Sequence, residues 1–301
     1  MQKDEIAEKF KHLQNQITKA LENCDGGAKF QEDVWEREAG GGGRSRVIKN
    51  GNIIEKGGVQ FSAVHGAMPA KIKSKLNLSA DDFFATGVSL IMHPENPHVP
   101  IIHMNVRYFE LSDGTYWFGG GIDLTPIYVD KNQAKAFHQE LKKVCDKHHP
   151  DFYSKFKPWA DDYFFLPFRN ETRGVGGIFF DHLNDSSGMT KEELFDFVME
   201  VGELFAPTYC EIMRTNASKL YSEQEKDWQL HRRGRYVEFN LVLDKGTKFG
   251  LDTNGRTESI LVSMPPEVKW TYQYEIKEGS KEAETLQLLK KDINWLEPIS
   301  V

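Results

Sequence analysis

The chain has little of what would mark it as secreted, membrane-spanning or nucleic-acid-binding. It holds only three cysteines, Cys24, Cys145 and Cys210, and they form no CxxC pair and no zinc-ligand spacing. They read as structural thiols in a reducing compartment. No apolar run approaches the roughly 18 to 20 residues needed to cross a bilayer. The N-terminus, Met1-Gln2-Lys3-Asp4-Glu5-Ile6, is charged and lacks both the apolar core of a secretory signal and the Arg-rich character of a transit peptide, so the expected location is cytoplasmic. Positive charge is in the minority: 38 Lys and Arg stand against 45 Asp and Glu, a net charge of −7. That balance argues against nucleic acid as the main partner, and any anion bound here must meet cations gathered locally.

Apolar content is ordinary, at 39% hydrophobic and 12% aromatic residues over 301 positions, enough for a sizeable core. No repeat or linker divides the sequence, and its only low-complexity tract is Gly40 to Gly43. The expectation is a single domain over 1–301. Ile6, Phe10, Leu13, Ile17 and Leu21 recur at helical spacing, as do Ala134, Phe137, Leu141 and Val144. Thr190 with Glu193 forms a capping box before a third helix that Pro207 should kink or end. Ser222 with Glu225 repeats the box ahead of a shorter helix. Between these lie extended segments. Asn50-Gly51 marks a hairpin, and strands are expected near 58–64, 86–93, 100–110, 115–122, 235–243, 257–264 and 269–274. Several follow one another without a helix between them. The fold class expected is therefore α+β, a large, mainly antiparallel sheet with helices packed on both faces.

One strand carries chemistry. Alternation over 101–109 sends Ile102, Met104, Val106 and Tyr108 one way and His103, Asn105 and Arg107 the other. Alone, such a polar face could be a solvated surface. The preceding strand, however, presents Ser89, Ile91 and His93 by the same parity, so polar groups would converge over a partly apolar floor. Next, Gly119-Gly120-Gly121 removes every side chain from one stretch, and Asp123 follows. This either clears space for a flat ligand or forms a bulge with a cap. Arginines gather beside glycines elsewhere: Arg44 and Arg46, Arg169 and Arg173, Arg232, Arg233 and Arg235, and Asn254-Gly255-Arg256. No Walker loop is present. A single arginine of this kind is usually a surface ion pair, but repeated forks suit a ligand with several carboxylates.

These segments resemble the oxygen-dependent coproporphyrinogen-III oxidases. The resemblance runs through Glu38-Ala39-Gly40-Gly41-Gly42-Gly43-Arg44-Ser45-Arg46, Gly87-Val88-Ser89-Leu90 and His103-Met104-Asn105-Val106-Arg107. It continues through Phe118 to Pro126, Arg173 to Gly177, Arg233 to Asn240 and Gly255 to Leu261, in order over nearly the whole chain. It implies oxidative decarboxylation of two propionates of coproporphyrinogen III to vinyl groups with O2, giving protoporphyrinogen IX in haem biosynthesis. Arg107, Arg173 and Arg256 would hold propionates, and Asp123 would accept hydrogen bonds from pyrrole N–H groups and so activate the ring toward O2. Ser89, Asn105, Val106, Arg107, Asn254, Gly255 and Arg256 match substrate-contacting positions. His103 matches the family's proton donor, a role that suits imidazole near neutral pH. The resemblance also implies a homodimer.

No cofactor beyond O2 as co-substrate is expected. A divalent metal is the open alternative, with His93, His103 and His138 as candidate ligands. Bacterial relatives are described with a four-histidine metal site whose fourth member falls at Phe168 here, which removes one ligand. The competing classes are a non-haem metal-dependent oxygenase and a non-catalytic binder of acidic tetrapyrroles.

Overall fold

The computed structural model describes residues 1–68, 73, 80–252 and 255–298. Among these lie eight α-helices and nine strands. Helix α1 (Lys3–Asp25) uses the expected apolar stripe and ends at Gly26, whose φ of 70° makes a left-handed C-cap. Strands β1 (Gln31–Glu36), β2 (Gly41–Lys49), β3 (Ile54–Ala67), β4 (Asp82–Pro94), β5 (Ile101–Leu111) and β6 (Tyr116–Thr125) follow in chain order. The β2–β3 turn contains the Asn-Gly pair, with Asn50 at φ 54°.

Helices α2 (Lys131–His148) and α3 (Phe152–Tyr163) come next. A two-stranded ribbon, β7 (Phe165–Leu166) with β8 (Glu171–Thr172), then precedes β9 (Gly177–Leu183). The large sheet has the order β1-β2-β3-β4-β5-β6-β9, with every neighbouring pair antiparallel.

Helix α4 (Lys191–Asn216) starts at the Thr190–Glu193 capping box and continues through Pro207 without ending there. With α1 and α2 it covers one face of the sheet. Phe10, Leu13, Phe137, Leu141, Phe197 and Val201 share a core with Ile102, Met104, Val106 and Tyr108, the last four all 0% exposed. That burial drives the layer together and fixes the strand register, since a one-residue slip of β5 would turn these four side chains out.

The other face is roofed by the C-terminal third. Helix α5 (Glu223–Glu238) begins at the Ser222–Glu225 box and packs Trp228 and Tyr236 on Ile91 and Ile101. A π-helical turn (Phe239–Leu243) continues it, followed by α6 (Lys245–Asp252), the one-turn α7 (Thr257–Ile260) and a 3-10 turn over Leu261–Ser263. Helix α8 (Lys281–Leu288) closes the described elements.

Three expected strands are corrected here. Residues 235–243 are helical, 257–264 are mostly short helical turns, and 269–274 form no strand. The run from Tyr236 to Leu243 has strand-like composition, but Tyr236 and Phe239, three apart, face the same buried arginine. Tertiary packing on one helical face overrides the local β preference. Gly234 sits inside α5, where a Cβ would lie 2.9 Å from the Lys269 carbonyl oxygen.

Candidate active site

Direct register partners in an antiparallel sheet share a face, so the pairing itself lays out the site. Ser45, Gln60, Ser89, Asn105 and Gly121 form one continuous row across β2 to β6. The row beside it runs Val47, Gly58, Ile91, His103 and Asp123, and the row on the other side runs Gly43, Ser62, Gly87, Arg107 and Gly119. The expected convergence of Ser89, His103, Asn105 and Arg107 on one face is therefore a consequence of backbone pairing.

At one end, His103 and Asp123 stand directly opposite each other, with Nδ1 2.9 Å from Oδ1. Arg173 lies beside Asp123, between the sheet and the roof. Its Nε and Nη2 donate to the Asp123 carboxylate at 3.1, 2.7 and 2.8 Å, and both residues are buried, at 2% and 1% exposure. The guanidinium is enclosed by Phe164, Tyr236 and Phe239, 4.4 to 4.7 Å from the ring centres. Its Nη1 reaches Asn240 Oδ1 at 3.4 Å. Burial alone would raise the Asp123 pKa, but Arg173 and the bond from His103 outweigh it and keep the carboxyl below its usual range. Asp123 is thus a buried carboxylate whose two oxygens are both engaged, and His103, 24% exposed at its side chain, is the member that reaches solvent.

Arg107 lies two residues along β5, half-exposed, with Nη1 on Asn105 Oδ1 at 3.0 Å and Nη2 on Asp181 at 3.1 Å. The cleared glycines serve it directly: a Cβ at Gly119 would lie 2.7 Å from Arg107 Nη2. Arg256 approaches the far end of the face from the roof. It pairs with Asp33 and reaches Ser45 Oγ at 3.4 Å. Gly255 precedes it, and Asn254 lies outside the described residues. Val106 turns its side chain into the core on the opposite face.

The three histidines considered for a metal are not brought together. His138 belongs to α2 on the other side of the sheet, where Nδ1 meets Tyr153 OH and Nε2 meets the Val175 carbonyl, both at 2.9 Å. Both ring nitrogens are therefore used, and burial pushes its pKa down to about 4. His93 bonds the Ser263 carbonyl at 2.8 Å, and His103 bonds Asp123. Among the described residues no three His, Cys, Asp or Glu side chains gather in a metal-holding group. The donor set does not fit the four-histidine arrangement.

Several side chains of this site had no clear mark in the sequence. Gln60 lies in the row with Ser89 and Asn105, and parity on β3 could have found it. Asp181, the partner of Arg107, and Asp244, which accepts from Tyr163 OH at 2.8 Å, come from segments that carry no recognisable pattern.

One sheet face thus carries a histidine backed by a buried ion pair and the Arg107 guanidinium, and Arg256 reaches it from the roof. A family model for coproporphyrinogen III oxidase matches residues 5–295. The chain is 46% identical over 308 residues to the oxygen-dependent coproporphyrinogen-III oxidase of Prochlorococcus marinus (strain MIT 9312), covering 94% of this chain and 90% of that protein. It is likewise 46% identical to the protein of that name from Synechococcus sp. (strain CC9605), covering 94% and 85%. The chain belongs to the coproporphyrinogen III oxidase family.

Proposed function

We propose that this protein is an oxygen-dependent coproporphyrinogen-III oxidase that converts two propionate side chains of its substrate to vinyl groups in haem biosynthesis. The observation that carries this reading is the placement of His103 and Arg107 at separate points of one sheet face, with Arg256 reaching the same face from the roof. Ser45, beside Arg256, and Gly121, two residues before Asp123, are four strand spacings apart, about 19 Å. That span suits a tetrapyrrole with carboxylates on its rim, and each charge-assisted bond there contributes on the order of 1.5–3 kcal/mol.

Proton balance gives His103 its role. A propionate carboxylate that becomes vinyl plus CO2 gives up one proton and two electrons. Reducing O2 with those electrons, to peroxide or to water, takes up two protons for every two electrons. One proton per vinyl group must therefore come from outside the substrate. His103 donates Nδ1–H to Asp123, which leaves Nε2 toward the cleft as the atom that carries and releases that proton. Arg173 acts by holding Asp123, and Arg107 with Asn105 and Ser89 receives a carboxylate. The reaction needs no bound metal in this reading, which the scattered histidines support. The protein acts as a cytoplasmic homodimer, and the exposed edge strand β1 offers a surface for association.

The test is aerobic turnover of coproporphyrinogen III by metal-stripped protein in the presence of a chelator. Two CO2 per substrate with O2 uptake is the expected result. Binding without CO2 release would leave a tetrapyrrole carrier, and activity restored only by a metal would leave a metal-dependent oxygenase.

A further inference from the structure

His93 is the histidine that the acid–base centre does not use. It lies on β4, on the same face as His103, and is 0% exposed. A carbonyl oxygen only accepts, so the 2.8 Å contact with Ser263 requires Nε2 to carry the hydrogen. Nδ1 then holds a lone pair, and no described residue bonds to it. Burial is the main cause that pushes the His93 pKa down to about 3, and Arg233, Lys56 and Arg173 all add to it. A ring surrounded by three cations is a poor place for a metal ion, which would bury one more positive charge there.

The short stretch that His93 grips receives other contacts from the same sheet face. Lys56, the register partner of His93 on β3, donates Nζ to the Met264 carbonyl at 2.6 Å. Val262 sits over Gly58, where an added methyl would come within 2.6 Å of its Cγ2. Ser259 Oγ lies 3.0 Å from Ser45 Oγ. Three neighbouring strands thus fasten one segment, and that segment begins with Arg256.

We propose that His93 is a positioning residue: its Nε2–H latches residues 256–264 onto the sheet and so sets where Arg256 presents its guanidinium to a substrate carboxylate. This rests on reading Arg256 as a carboxylate-holding group. It gives His93 a defined task without a metal, and it explains why a histidine, with a donor at the tip of a short flat ring, fills a closed space beneath a carbonyl.

The experiment compares His93→Phe, which keeps the ring but not the donor, with His93→Gln, whose amide nitrogen can take the place of Nε2. Hydrogen exchange over 257–264 in substrate-free protein reads the latch. Exchange should quicken in His93→Phe and return near wild type in His93→Gln. In steady state, His93→Phe should raise KM about fivefold or more with kcat within about twofold, and His93→Gln should recover most of the loss. Should His93→Phe not fold, Lys56→Met cuts the adjoining bond to Met264 and should quicken exchange over the same residues. Native-like exchange in His93→Phe, or Lys56→Met in its place, overturns the latch, as does equal impairment of His93→Phe and His93→Gln. A stoichiometric metal in wild type that both His93 variants lose also overturns it. Arg256→Met separates the two ideas: an unchanged KM there sinks the carboxylate reading, whatever the exchange of 257–264.

Discussion

His103 and Asp123 are register partners on adjacent strands, and the 2.9 Å hydrogen bond between their side chains follows from that pairing. The orientation of the imidazole is therefore set by the sheet ladder, and no loop has to close to form the pair. Arg173, held under the roof by Tyr236 and Phe239, completes the unit at the Asp123 carboxylate.

Removing the Asp123 carboxylate should damage both catalysis and folding. Asp123→Ala leaves Arg173 charged, buried and unpaired, a situation that costs about 3–5 kcal/mol. Chemical denaturation should show a loss of that order, and a midpoint unchanged from wild type would contradict the buried pairing. Asp123→Asn keeps the shape and should lose less stability. Its kcat should still fall by about 100-fold or more, because the amide no longer fixes the imidazole tautomer.

His103→Asn should leave substrate binding within about threefold while kcat drops by about 100-fold or more. Equilibrium binding under nitrogen separates the two quantities. A large loss of affinity with kcat preserved would make His103 a binding group only.

Acid should destabilise the protein well above the pH at which ordinary carboxylates titrate. His138 and His93 are held neutral by burial, with pKa values lowered from 6.5 to about 4 and about 3. The unfolded chain therefore takes up protons first as pH falls. The stability these groups contribute is full above about 6.5 and is lost as pH drops toward 4 and then 3, on the order of 3 kcal/mol for His138. Lowered as it is, Asp123 contributes a further loss only below the ordinary carboxylate range. Tm measured from pH 7 to pH 4 should decline steadily, and His138→Phe should flatten that slope. An unchanged slope would show that His138 is not buried neutral.

Two glycines on the same row should respond differently to alanine. At Gly119 the new methyl meets the flexible ends of Arg107 and Asp181, both near 2.7 Å. Gly119→Ala should raise KM several-fold, by about 1 kcal/mol of binding, with little change in Tm. At Gly87 the methyl meets the Val106 carbonyl oxygen at 2.4 Å, in the centre of the sheet. Gly87→Ala should lower Tm, since backbone must move. Equal effects of the two on Tm would count against this layout.

How much was legible depended on whether a residue's neighbours are local. The β5 face could be read from alternation, and the capping boxes at Thr190 and Ser222 mark true helix starts, because each signal lies within a few residues. The hairpin at Asn50-Gly51 is of the same kind. The run from Tyr236 to Leu243 was misread because its shape is decided by Arg173, more than sixty positions away in sequence. Arg173 itself looked like one more propionate fork. Nothing local distinguishes it from Arg107, yet one is sealed beside Asp123 by three aromatic rings and the other stands half-exposed. Asp33 and Asp181, the partners of Arg256 and Arg107, were equally invisible, since long-range ion pairs leave no spacing to find.

A floor made of backbone leaves evolution one direction in which to work. A Cβ added at Gly87 or Gly121 would meet main-chain oxygens at 2.4 and 2.8 Å, so neither can acquire a side chain without moving a strand. Adaptation to a bulkier or differently charged ring must then come from the roof, through Tyr236 to Met264. Variation in that segment among natural sequences should track substrate preference, while the floor stays the same under every preference.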